Sequence, residues 1–319
     1  MTRSDLNLTP LRAGTLGGIG HTPLIELTNV VPRGSARLVA KFEPANPTGS
    51  MKDRMAQAAV SAAVQDGRLV PGGTVVEYTA GTTGISLAFV CAARGYRLHV
   101  VFSDAFSQEK LRTMQAFGAE ITLVPSDQGR ITQQLIKEMI RVSHELGGQP
   151  GHWWCDQLNN HDAIEGYHAL GSELWEQTEG SLDAFVHAVG TAHSIHGVSR
   201  ELRRRGADVT VVAVEPAESA VLSGGTSGAH RIEGIGIGFL PPLWHPEEIS
   251  EIQTVSTEEA THMARRLARE EGLFAGVSTG ANVVAALRVA ERLGEGATVA
   301  TIVCDSGLRY LSTDVFRPQ

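Results

Sequence analysis

Short runs of β-branched and aliphatic residues alternate along this chain with longer stretches in which apolar residues recur at i, i+3 and i+4. The first pattern predicts strands over residues 37–43, 74–78, 97–102, 120–125, 183–189, 209–215 and 298–304. The second predicts helices over 53–65, 84–93, 107–118, 131–146, 162–177, 195–205, 257–271 and 281–293. Strands that alternate with helices in this way feed a mostly parallel sheet, so the fold class is α/β. Gly95, Gly118, Gly206 and Gly272 stand where helices should stop, as left-handed C-caps. No repeat, low-complexity tract or Pro/Ser-rich linker divides the chain, and the most plausible break is the glycine-rich stretch 147–151 around Pro150.

Composition narrows the function classes. The chain has 319 residues, which suggests about two domains. Its 27 Lys and Arg against 35 Asp and Glu give a formal charge of −8, which argues against nucleic acid or an anionic membrane surface as partner. No apolar run approaches the ~18 residues of a membrane span. The opening MTRSDLNLTPLRAG lacks the apolar core of a secretory signal, so a cytoplasmic protein is expected. Cys91, Cys155 and Cys304 lie far apart without metal-ligand spacing, and read as buried apolar residues rather than a disulfide or zinc set. Trp153 and Trp154 read as a buried core pair rather than a subunit contact. The 35 glycines are about 11 % of the chain, against a usual ~7 %.

Many of those glycines fall where a strand meets a helix, a place where backbone N–H groups and the helix dipole favour an anion. In NPTGSMKDR, Lys52 would begin a helix; alone it reads as a solvated lysine, but buried there its amine would be a usable nucleophile and base. In TAGTTG, residues 79–84, the threonines either cap the next helix or cradle a carboxylate. In GTAHSIHG, residues 190–197, a phosphate is the natural guest, and His193 and His196 without a third ligand do not make a metal site. In EGIGIGF, residues 233–239, alternate glycines allow close backbone approach, while Pro241 and Pro242 stand where a dinucleotide fingerprint would begin its helix, which makes NAD the poorer reading. Ser278 and Thr279 either cap a helix or add hydroxyls to a site, and DSGLRYLST follows a strand at its carboxyl end, where ligands of open α/β sheets gather.

In this order the segments resemble the cysteine synthase and cystathionine β-synthase group of pyridoxal-phosphate (PLP) enzymes, with the tryptophan-synthase-β fold, also called fold type II. The resemblance begins at Gly20-His21-Thr22-Pro23-Leu24 and runs through NPTGSMKDR, TAGTTG, DQLNN, GTAHSIHG, ESAVLSGG, HRIEGIGIGF and FAGVSTGA to DSGLRYLST. It implies two three-layer αβα domains with mostly parallel twisted sheets: a large one of residues 1–45 and 157–319, and a smaller mobile one of 46–156. It implies Lys52 as the Schiff-base lysine, Gly190, Thr191, Ala192, His193 and Ser194 around the cofactor phosphate, Thr82 at the phenolic oxygen and Ser278 at the pyridine nitrogen. Thr79, Ala80, Gly81, Thr83, Gln157 and Gly236 would hold the substrate. A neutral hydroxyl at the ring nitrogen favours prompt loss of a β-leaving group over transamination.

The implied reaction is β-replacement on an O-activated serine such as O-acetylserine, through an aminoacrylate, giving cysteine or a related β-substituted alanine. The alternatives are β-elimination, as by a cysteine desulfhydrase or hydroxy-amino-acid dehydratase, and a decayed regulatory or binding module, against which Lys52 stands. The partners implied are an amino acid and a small nucleophile, with a homodimer as the assembly and no metal. The family commonly reads Thr-Ser-Gly-Asn-Thr-Gly and Gly-Thr-Gly-Gly-Thr at the two turns. Here Ala80 removes a hydroxyl, Thr82 replaces an asparagine, and Ala192 and His193 replace two glycines, which requires negative φ at both. Ile237 and Leu308, where alanine and glutamate are usual, imply a narrower, more apolar pocket.

Overall fold

The computed structural model describes residues 14–129 and 132–317. The N-terminal stretch read above as lacking a leader lies outside the described residues up to Ala13, as does Ile131, the expected start of one helix. Among the described residues ten strands form: β1 (Leu24–Leu27), β2 (Arg37–Phe42), β3 (Thr74–Tyr78), β4 (Arg97–Ser103), β5 (Glu120–Val124), β6 (His152–Trp154), β7 (Ala184–Ala188), β8 (Thr210–Pro216), β9 (Glu251–Val255) and β10 (Thr298–Val303). The helices are α1 (Lys52–Gln65), α2 (Thr82–Arg94), α3 (Gln108–Ala116), α4 (Gln133–Gly147), α5 (Asp162–Glu165), α6 (His168–Gln177), α7 (His193–Arg204), α8 (Thr257–Glu270) and α9 (Val277–Leu293).

The strands make two sheets. One has the order β1-β2-β10-β7-β8-β9 and is parallel except for β1; the other, β5-β4-β3-β6, is parallel throughout. Every residue of β3, β7 and β10 is buried, as the continuous apolar runs of covered parallel strands require. Alternate residues of the larger sheet enter different cores. Leu38, Ala40, Ala184 and Val186 pack with α8 and α9, whereas Val39 and Phe185 pack with residues of α6 and α7. Helices α2 and α4 lie against the smaller sheet in a separate core. Gly95, Gly118, Gly206 and Gly272 all take positive φ, as the C-cap reading requires.

Three strands escaped the pattern, namely β1, β6 and β9, and all three are edge strands. Each is short or mixed in polarity, LIEL, HWW and EIQTV, so periodicity does not announce it, whereas the fourth edge strand, β5, falls where the pattern predicts it. The break placed at residues 147–151 is corrected by β6, which returns beside β3 in the smaller sheet immediately afterwards. Its two tryptophans are not a buried pair either. Successive strand residues face opposite sides, so Trp153 enters the core while half-buried Trp154 meets His144 edge-on, with ring centroids 5.5 Å apart. The helix expected over 162–177 is broken at Gly166 and Tyr167, and Gly166 lies against α1, where a Cβ would come within 2.7 Å of the Arg54 carbonyl oxygen. Among the described residues no helix is long and apolar enough to cross a membrane.

Candidate active site

The carboxyl ends of β3, β7 and β10 and the segment that opens α1 converge on one open cavity of about 260 Å³. Parallel sheets leave such a crevice because their crossover loops diverge there. The segment that brings Lys52 to it is held at both ends. Met51 N–H donates to the Cys304 carbonyl (2.9 Å) and Ser306 N–H to the Gly49 carbonyl (3.0 Å), which ties this loop to the end of β10. Gly49 takes φ 79°, a left-handed turn that a side chain would strain. Asp53 accepts from Thr48 N–H (2.8 Å) and Thr48 Oγ1 (2.5 Å). Arg54 is gripped below by Glu43 and Glu173, through contacts of 2.7–2.9 Å at almost fully buried atoms. The amine of Lys52 has no hydrogen bond among the described residues. Burial pushes its pKa down, against the opposing pull of Cys304 and Asp305.

Two turns face this amine. After β3, Thr79 Oγ1 accepts from the N–H groups of Gly81 (2.9 Å) and Gly84 (3.3 Å), so its oxygen shapes the turn. Thr83 Oγ1 donates to Gln157 Oε1 (3.0 Å), and Gln157 Nε2 donates to the Tyr78 carbonyl (2.8 Å), which locks the two predicted residues together. After β7, Gly190 packs on the backbone of Gly234, leaving no room for a Cβ. Among the described residues no side chain caps the start of α7, so its first-turn N–H groups are open to a ligand. Ser194 Oγ pairs with His187 Nε2 (2.8 Å) and Thr191 Oγ1 with His193 Nδ1 (2.9 Å).

Of the predicted residues, Lys52, Thr82, Gly190, Thr191, Ser194 and Ser278 line the cavity. So do Thr79, Ala80, Gly81, Thr83, Gln157 and Gly236. The peptide groups of Gly236 are already engaged, its N–H by the Val189 carbonyl (3.1 Å) and its carbonyl by His230 Nε2 (2.7 Å). Ala192 and His193 do not line the cavity. Ala192 is buried in the core beside α7, and His193 is 1 % exposed with its Nε2 unpartnered among the described residues. The requirement of negative φ is also corrected: Ala192 sits at φ 69°. Its methyl is the smallest side chain that can be forced there, at a cost of about 1–2 kcal/mol. Ile237 does line the cavity, as a narrower pocket requires, but Leu308 is 63 % exposed and takes no part.

Sequence reasoning missed the group that joins the two sides of the crevice. Lys110 on α3 is 2 % exposed, ion-paired to Glu233 and lies 4.7 Å from the Tyr310 ring centroid. Tyr310 donates to Asp305 Oδ2 (2.9 Å), while burial pushes the Asp305 pKa up. Lys110 sits in a polar helix where every lysine reads as solvated; the only trace was the glutamate of the glycine motif. His187 was missed because it lies within an apolar strand.

The open N–H groups of α7, the Cβ-free approach at Gly190, the hydroxyls of Thr191, Ser194 and Ser278, and a buried uncharged-leaning amine together fit a phosphate-bearing aldehyde cofactor. Residues 15–305 match the family model described as pyridoxal-phosphate dependent enzyme. A cysteine synthase of Staphylococcus aureus is 41 % identical over 301 residues, covering 93 % of this chain and 95 % of that protein. The structure of a cysteine synthase from Entamoeba histolytica superposes with a TM-score of 0.90 at 37 % identity, over 97 % of this chain and 92 % of that one. An O-acetylserine dependent cystathionine beta-synthase from Helicobacter pylori gives 0.89 at 35 %, over 97 % and 100 %. The chain therefore belongs to the pyridoxal-phosphate dependent enzymes of the cysteine synthase kind, with their α/β fold.

Proposed function

We propose that this enzyme performs β-replacement on an O-activated serine of the O-acetylserine kind, giving cysteine or a related β-substituted alanine. The observation that carries the reading is the single cavity that joins the lowered amine of Lys52 to two anion-binding turns. Gly190, Thr191 and Ser194, with the N–H groups beginning α7, would hold the cofactor phosphate; Thr82 and Ser278 would meet its ring. PLP, when bound, supplies a sink for the electron pair left at Cα. Thr79, Gly81 and Thr83, the last fixed by Gln157, hold the substrate carboxylate and so aim the Cα–H bond at Lys52. Burial lowers the Lys52 pKa, which favours the neutral amine that takes that proton. Loss of the β-substituent as acetate, then attack of sulfide or another small nucleophile at Cβ, completes the replacement.

Segment 46–156, which carries the smaller sheet, would move as a domain against the rest, with Lys110 and Glu233 as the latch between them. Three unpaired buried cysteines support a reducing cytoplasm as its compartment. A homodimer is expected from the resemblance, and light scattering of the purified enzyme tests it. The reaction is tested by mixing purified enzyme with PLP, O-acetylserine and sulfide. Cysteine and acetate should form in equal amounts, and Lys52→Ala should abolish both along with the absorbance band of the bound cofactor. Pyruvate and ammonia released in place of cysteine would overturn replacement, and failure to bind PLP would overturn the cofactor roles.

A further inference from the structure

The hydroxyl of Ser194 is backed by a buried series of polar groups that the reaction above does not use. His187, next to the last residue of β7, is 2 % exposed, lines the cavity and sets its Nε2 2.8 Å from Ser194 Oγ. Its Nδ1 lies 3.3 Å from Nδ2 of Asn282, a fully buried residue of α9. The orientation of Asn282 is fixed by the backbone on both sides. Ala188 N–H donates to its Oδ1 at 2.7 Å, and its Nδ2 donates to the Ile302 carbonyl at 2.7 Å. A flipped amide would set donor against donor and oxygen against oxygen. The second Nδ2 hydrogen is left for His187 Nδ1 and for Cys304 Sγ, which is 3.4 Å away.

A hydrogen on His187 Nδ1 would point at that amide N–H, so Nδ1 carries the lone pair and Nε2 carries the proton. The ring is neutral, because burial holds its pKa down at about 3. Nε2–H therefore donates to Ser194 Oγ, and the hydroxyl hydrogen of Ser194 is directed elsewhere, with the cavity in front of it. A hydroxyl that already accepts one hydrogen bond is a better donor in the next. The other hydroxyl of the turn lacks this logic. Thr191 meets His193 Nδ1, but His193 Nε2 has no partner among the described residues, so nothing fixes the direction of that bond.

We propose that Asn282, His187 and Ser194 form a one-way hydrogen-bond chain that holds the Ser194 hydroxyl as a donor to the cofactor phosphate, with His187 as its positioning residue. This rests on the reading of residues 190–194 as the phosphate site. Two measurements test it. In the ¹⁵N-histidine-labelled holoenzyme, two-bond ¹H–¹⁵N spectra should report the Nε2–H tautomer for His187, identified by the signal that His187→Gln removes; the Nδ1–H tautomer would overturn the chain. Titration of apoenzyme with PLP should then show Ser194→Ala and His187→Phe each weakening affinity by about tenfold, the scale of one hydrogen bond to a charged group. The double variant should be no weaker than Ser194→Ala alone, and His187→Gln, whose amide can donate to Ser194, should recover most of the loss. The ³¹P resonance of the bound cofactor should shift in His187→Phe and return toward wild type in His187→Gln. If Ser194→Ala weakens binding and His187→Phe does not, the chain fails and the phosphate site stands. If Ser194→Ala leaves PLP affinity unchanged, the reading of the phosphate site itself fails. Should His187→Phe not fold, the tautomer in the wild-type enzyme still decides.

Discussion

The turns after β3 and β7 begin alike. Each follows a fully buried parallel strand, contains glycine and threonine, and opens a helix whose first N–H groups face the same cavity. They differ in what backs them. After β3, Thr79 bonds to the turn itself and Thr83 to Gln157, and the Lys110 side chain lies against Gly81. After β7, both hydroxyls meet buried imidazoles, and Gly190 presses against Gly234. One strand–turn–helix signature thus yields two unlike anion sites. A carboxylate needs two or three donors on a movable wall, whereas a permanently held phosphate is suited by a rigid cup.

The sharpest way to break this contrast is Gly190→Ala. A methyl there meets the Gly234 carbonyl, an overpacking of ~3 kcal/mol, so PLP affinity in an apoenzyme titration should fall about 100-fold. Thr83→Val tests the opposite wall. It leaves Gln157 Oε1 without its donor, a loss of ~2 kcal/mol that should raise KM for the amino acid roughly 30-fold while PLP affinity stays unchanged. A matching loss of PLP affinity would erase the distinction between the two turns.

Acid stability separates the two sides a third way. Burial holds His187 at about 3, below its unfolded value near 6.5, so the unfolded chain takes up a proton that the folded one refuses. The contribution of a neutral His187 is complete above pH 6.5 and is lost as pH falls toward 3. Relative to the wild type, His187→Gln should remove about 1.4 kcal/mol of the stability lost between pH 7.5 and 5.5, read from urea midpoints. Lys110→Met should have the smallest effect. Without the pair to Glu233, kcat/KM should fall about fivefold, ~1 kcal/mol, with PLP affinity intact. An unchanged kcat/KM would remove the latch.

Much of this was legible beforehand, for reasons particular residues make plain. Buried parallel strands announce themselves as apolar runs, and β3, β7 and β10 fall where the pattern placed them. Edge strands β1, β6 and β9 gave no such signal. Lys52, Thr83 and Gln157 were found because their motifs occur in a fixed order, and the cavity gathers them. Lys110 and Glu233 are 123 residues apart, and no local pattern could pair them. The general preference of its residue type predicts a negative φ for Ala192, whereas the turn drives it to φ 69°.

The sequence by itself determined the α/β class, the glycine turns at strand ends and the chemistry available at each, because these depend on periodicity and residue type within a few positions. Only the tertiary structure decided which hydroxyls are committed and in which direction they donate, which lysine is paired, and which turns share one cavity. Those outcomes depend on burial and hydrogen-bond geometry between residues far apart in the chain, as where Asn282 on α9 fixes the proton of His187 on β7.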